Sequence, residues 1–324
     1  MSAGMGAAPS VKRSEGKWPI GTRADGSPIA LPYIRWEGGA SGAHLYIGVT
    51  IHGDEITGQA SLWRVGAWLE QSVLHGTVTA VPVQNPEGFN YAVRGIPGRT
   101  VDPNRAYPGD HQGETMERIT ARLTDAATAA DAAIDVHTAG WAMPYVLLDP
   151  LTDAALAEKT RGLARATGIT LIEEFASDDY EKEGLAASLP PAVLAAGKPA
   201  FTLELGGHGH IEWTHVEAGA VALRNAVRHL GIVQDAPEGV KDVPVFASDG
   251  HRRTAFFCDQ GGLVEFTVRP GDAVVRGNRI GRVRDVYGRV IEEIHSPHTG
   301  FVLALAPTNA VWTGAYLGEI AAEE

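Results

Sequence analysis

The chain has a single cysteine, Cys258, so no intramolecular disulfide is available to brace it. It also lacks any run of about 18 or more apolar residues, which excludes a helix long enough to span a bilayer. Cationic excess is missing too. Twenty-seven Lys and Arg stand against 39 Asp and Glu, and the formal net charge of −12 argues against a general nucleic-acid binder. An anionic small substrate stays open, because a few arginines inside a pocket create a local field opposite to the net charge. The segment Met1 to Pro9 has none of the apolar core that a secretory signal needs. The chain is therefore expected in the cytoplasm, without membrane or nucleic-acid partners, with residues 1–16 as a disordered leader.

What is present describes an ordinary globular protein: 44% hydrophobic and 20% charged residues over 324 positions. That length exceeds one typical core, so a large domain and a smaller one are expected. From about residue 43 to 232, β-prone runs alternate with helical patterns, as in a sheet flanked by helices. The expected strands are Leu45 to Ile51, Gly76 to Val83, Ala133 to His137 and Ala200 to Leu205. The expected helices are Glu55 to Gln71, Glu114 to Asp131, Thr152 to Ala166 and Val216 to Leu230, with Gly231 as a C-cap. The polar stretch Gln234 to Gly239 marks the expected boundary between domains at 1–235 and 236–324. Beyond it, short β-prone runs between glycine-containing turns predict a small all-β module.

The chemistry gathers at predicted strand ends, where open α/β sheets collect their ligands. His52-Gly53-Asp54-Glu55 follows the first strand and offers an imidazole and a carboxylate, both accepted by zinc. On its own the tetrapeptide reads equally well as a polar loop. His137 ends the third strand, and a short pair plus a distant third ligand is compatible with a catalytic zinc site that leaves one position open. Asp135 points to the same side of that strand and is suited to orient a ligand. Glu204 interrupts an otherwise apolar strand, a costly place for a carboxylate unless it is paired or used, and beside an activated water it is suited to proton transfer. The loop from Asn85 to Gly109 carries Arg94, Arg99, Asn104 and Arg105, suited to clamping carboxylates, although any one of these arginines alone reads as a solvated charge. His208 and His210 read either as pocket-lining or as a flexible Gly-His-Gly-His loop. His111, His251, His295 and His298 read as surface or turn residues.

Taken together, His52 to Glu55, Asp102 to Gly109, Asp135-Val136-His137 and Glu204 to Gly207 resemble the succinylglutamate desuccinylase/aspartoacylase family of zinc carboxypeptidase-like hydrolases. The resemblance implies a mixed sheet flanked by helices, one zinc on His52, Glu55 and His137, and Glu204 as catalytic acid/base. It also implies that Asn104 and Arg105 hold a substrate carboxylate while an upstream arginine polarises the scissile carbonyl, assigned as Arg94 with Arg99 as the alternative. Pro103 stands where the family more often has leucine, and Tyr107 where it often has phenylalanine. The C-terminal module resembles the family's small β-domain, itself similar to biotinyl/lipoyl carrier domains. No lysine stands in its hairpin from Asp285 to Arg289, so cofactor attachment is not expected and a role at the site entrance or in an oligomer contact is. The expected activity is removal of an acyl group from an N-acyl amino acid or related small carboxylate, with homo-oligomerisation open. The alternatives are a metallocarboxypeptidase acting on short peptides and a non-catalytic scaffold.

Overall fold

A computed structural model describes residues 11–247 and 250–323. The sheet begins with three strands, β1 (Lys12–Thr22), β2 (Pro28–Glu37) and β3 (Ala40–Val49), followed by α1 (Thr57–Leu69). Next come β4 (His75–Val81), α2 (Pro86–Tyr91), α3 (Thr115–Thr128) and β5 (Ala132–His137). Two short strands, β6 (Trp141–Ala142) and β7 (Tyr145–Leu148), lead into α4 (Ala154–Ala166), β8 (Thr170–Glu173), α5 (Ser177–Lys182) and α6 (Leu189–Ala195). The first part closes with β9 (Ala200–Glu204) and α7 (Trp213–His229). After it come β10 (His251–Phe257), β11 (Gly262–Phe266), β12 (Ala273–Val274) and β13 (Arg279–Arg284), then β14 (Val290–His295), β15 (Gly300–Leu305), β16 (Ala310–Val311) and β17 (Tyr316–Glu323).

The centre of the large sheet is parallel: β3 lies between β4 and β5, and β5 pairs with β9. Such strands are covered on both faces and read as continuous apolar runs, which is why Leu45 to Val49 was legible as a strand. Successive residues serve opposite layers. Leu45, Ile47 and Val49 pack with α1, α4 and α7 on one face, while Tyr46 packs with α3 and α6 on the other. Each large side chain fully buried in these layers contributes about 1.5–3 kcal/mol. β7 runs antiparallel to β9, so the sheet is mixed, as expected.

Helix α7 ends as its sequence suggests. Gly231 adopts φ 71°, its N–H bonds to the Arg228 carbonyl, and the Ile232 N–H reaches back to Val227, the paired bonds of a Schellman motif.

Two sequence expectations need revision. Residues 12–16, expected in the leader, open strand β1, which pairs along its length with β2 and is clasped where Trp18 stacks on Tyr33 and lies under Arg122. Residues 1–10 of that leader lie outside the described residues. The loop after Asn85 is also partly ordered into α2, capped by the Asn85 side chain accepting from the Gly88 N–H.

The sheet does not stop at the composition shift. Glu238 is held against α7 by Arg224 and by two hydrogen bonds with Asn225. Beyond it β10 pairs with β8 and β17, and β15 and β12 extend the same sheet. Strands β14, β13, β11 and β16 form a separate sheet, so the C-terminal region is β-rich as expected. Among the described residues no helix is long and apolar enough to cross a membrane.

Candidate metal centre and active-site cavity

At the end of β3, Thr50 takes φ 62°, unusual for a β-branched residue, and turns the chain off the strand. Its hydroxyl donates to the Glu55 carbonyl, and the Glu55 N–H closes the turn on the His52 carbonyl. Gly53 is needed there, because a Cβ would lie 2.0 Å from the Gly88 carbonyl carbon. The turn presents His52 and Glu55 on one side, where His137 arrives from the end of neighbouring β5. All three are buried, with exposures of 2%, 4% and 3% for His52, Glu55 and His137.

The ligand atoms of these three lie within 4.8 Å of one another. His52 Nδ1 is 2.8 Å from Glu55 Oε1, and His137 Nδ1 is 2.9 Å from Glu55 Oε2. Each ring turns its other nitrogen to a second carboxylate: His52 Nε2 lies 3.0 Å from Asp102 Oδ1, and His137 Nε2 lies 2.9 Å from Asp135 Oδ2. With a cation between them, the outer carboxylates would keep the proton on each Nε2 and leave the Nδ1 lone pairs for the metal, the outer support that zinc-ligating histidines use. Asp135 is itself fixed by Gln84 Nε2 at 2.8 Å, and Asp102 by Arg94 and the Asn104 N–H. Three carboxylates thus face two imidazoles, a donor set and charge balance that fit a divalent cation.

Burial opposes ionisation of Glu55, yet the charges of His52 and His137 and hydrogen bonds from both hold its carboxyl well below the usual range. Burial likewise works against charge on His137, and Asp135 and Glu55 override it to push the imidazole well up. Glu204 behaves oppositely: burial, aided by the Glu55 charge, raises it to about 8 although His137 and Arg253 pull the other way.

Around this centre lies a cavity of about 490 Å³. His52, Glu55, His137, Glu204, Arg94, Asn104 and Arg105 all line it, so the sequence candidates converge on one place. Glu204 Oε2 and Asn104 Oδ1 are buried without a partner, on side chains of residues 8% exposed. Arg94 grips Asp102 through Nε and Nη2 and places Nη1 3.2 Å from Glu55. Arg105 donates to the carbonyls of Glu183 and Asn104 and keeps its charge without a carboxylate partner among the described residues. Arg99 is not brought to the cavity. The turn that bonds the Arg99 N–H to the Ile96 carbonyl sends its side chain to Glu114, 3.2 Å away at the surface. His208 does line the cavity, 3.4 Å from Asp54.

Several residues in or behind the cavity wall escaped the sequence reading. Asp102 was seen only as the head of a motif, although an acid before Pro103 is a signal for a capping carboxylate. Arg253, Tyr316 and Glu319 come from the C-terminal strands, and Asp149 and Glu174 from the ends of β7 and β8. No spacing rule links these to the motifs.

Residues 41–230 match the model of the succinylglutamate desuccinylase/aspartoacylase catalytic domain. The N-alpha-acetyl-L-2,4-diaminobutyric acid deacetylase of Halomonas elongata is 28% identical over 240 residues, which cover 72% of this chain and 68% of that protein. Product-bound ectoine utilization protein EutE (DoeB) of Ruegeria pomeroyi superposes with a TM-score of 0.83 at 22% identity, over 99% of this chain and 98% of its own. A metallo-carboxypeptidase of Burkholderia cenocepacia shares the fold more distantly, with a TM-score of 0.52 and 16% identity over 69% of this chain and 65% of its own.

Proposed function

The chain belongs to the succinylglutamate desuccinylase/aspartoacylase family, and on that premise we propose that it is a zinc-dependent deacylase releasing the amine of a small N-acyl amino acid. The observation that carries the reading is the pair of imidazole Nδ1 atoms converging on Glu55 while Asp102 and Asp135 hold both Nε2 atoms. His52, Glu55 and His137 would hold zinc, which when bound supplies a Lewis acid and brings the pKa of a coordinated water toward about 7.

The chain's own groups do the rest. Glu204 takes the proton of the attacking water and returns it to the departing nitrogen; its unpartnered Oε2 and its raised pKa suit a carboxyl that both accepts and donates. Arg94, anchored by Asp102, turns Nη1 toward the carbonyl oxygen as negative charge develops there. Asn104 and Arg105 bind the substrate carboxylate, Arg105 with a charge that no carboxylate among the described residues has taken. Residues 1–235 act as the catalytic unit and 236–324 as a small β-unit that contributes part of the cavity wall. The chain works in the cytoplasm.

The activity for which the Halomonas relative is named makes N-acetyl-2,4-diaminobutyrate the first substrate to try. Dialysis against a chelator is expected to abolish release of the amine, and one equivalent of zinc to restore it. Full hydrolysis by protein proven metal-free would refute the proposal.

A further inference from the structure

Glycine interrupts the apolar run Leu45-Tyr46-Ile47-Gly48-Val49 in the buried centre of the sheet, and a strand-interior glycine weakens a strand unless something must pass close by. Gln84 is what passes. Strand β3 lies between β4 and β5, with Gly48 opposite Val81 of β4 on one side and Asp135 of β5 on the other. Just beyond β4, the Gln84 N–H donates to the Val49 carbonyl at 3.0 Å. The Gln84 side chain then crosses over Gly48, where a Cβ would lie 2.7 Å from its Nε2. The amide thereby spans the middle strand and reaches Asp135 at 2.8 Å.

A carboxylate only accepts hydrogen bonds, which decides how this amide faces. Its NH2 group turns to Asp135 Oδ1, and its carbonyl oxygen accepts from the hydroxyls of Tyr46 at 3.2 Å and Tyr107 at 3.5 Å. Burial, aided by the Asp135 charge, pushes both phenols well above their usual range, so they keep the protons they donate. Asp135 is left with Oδ2 for His137 Nε2, 2.9 Å away. All the donors run one way, from the phenols through the amide to Asp135, and all four residues are buried. An apolar side chain of similar shape would fill the space without burying an amide against two hydroxyls.

We propose that Gln84 is a positioning residue for the metal centre. By occupying Oδ1 of Asp135 it turns Oδ2 to His137 Nε2, and so leaves Nδ1 of His137 as the nitrogen that meets a cation. The proposal rests on the zinc reading and gives that centre a support that touches neither a proposed ligand nor the cavity. Gly48 belongs to the same device, since it supplies the gap through which the amide reaches Asp135.

Two measurements on the full-length chain test this apart from turnover: zinc affinity, read by competition with a chromophoric chelator, and the visible spectrum of the cobalt-loaded protein. Gln84→Met keeps the length of the side chain and removes both amide groups. It is expected to weaken zinc binding about tenfold, the low end for loss of an outer support of a metal ligand. It is also expected to alter the cobalt spectrum, which a loss of folding stability alone would leave unchanged. Gly48→Ala keeps the amide but sets a Cβ against it, and is expected to weaken zinc binding in the same direction. Wild-type affinity and spectrum in Gln84→Met overturn the role of Gln84 and leave the zinc reading standing. Should that variant not fold, unchanged zinc binding by Gly48→Ala overturns it instead. A wild-type chain that takes up no zinc overturns the zinc reading and this role together.

Discussion

Asp102 holds the outer nitrogen of His52. Its Oδ1 holds the His52 Nε2 side at 3.0 Å while its other oxygen anchors Arg94, so one carboxylate positions both a proposed ligand and a proposed oxyanion donor. Asp102→Asn keeps the shape and removes the charge. It is expected to weaken zinc binding about 10–100-fold, read by competition with a chromophoric chelator, with thermal unfolding of the zinc-free protein little changed. Unaltered zinc affinity would remove Asp102 from the account. At this scale the sequence was legible where chemistry sits within one strand: Asp135 and His137 are two apart on β5, so a shared side follows from strand geometry. Asp102 acts on a histidine 50 positions away through a loop. Nothing in local periodicity encodes that reach, and the same loop hid the fact that Arg94 and Arg99 part company.

Elements were legible in proportion to how deeply they are buried. Strands β3, β5 and β9 lie at the centre of the sheet and announce themselves as apolar runs ending in His52, His137 and Glu204. Strands β7 and β8 have four residues each, too few for a pattern, and their terminal acids look like ordinary loop residues. At the sheet edge, β1 alternates exposed and half-buried positions and reads as polar leader. The C-terminal strands were recognised as β but not as continuing the large sheet. Their attachment has a consequence: Phe301, Leu303, Ala304 and Ala321 share a core with Tyr145, Leu147 and Ile172, and Arg253 neutralises Glu174. A chain ending at Asp235 would expose that core and leave Glu174 buried without its cation. It is expected to aggregate or to melt without cooperativity, measured by gel filtration and circular dichroism. A soluble fragment with a sharp transition would show that the C-terminal strands are dispensable for folding.

On the scale of the whole molecule, net negative charge coexists with a cavity built from both signs. Arg94 and Arg105 sit beside the histidine-carboxylate cluster, and Glu174 and Glu319 pair with Arg253 on the wall contributed partly by the C-terminal strands. The histidine-carboxylate part of this space was legible from four sequence motifs, and the opposite wall only once the chain is folded. The central claim is that Glu204 moves the proton in a zinc-supported hydrolysis. Steady-state turnover of N-acetyl-2,4-diaminobutyrate by Glu204→Gln, with zinc content measured on the same sample, tests it most directly. The account predicts a full complement of zinc and kcat reduced by about 10²–10⁴-fold, the usual worth of a general acid/base. Near-normal kcat with zinc bound would contradict it.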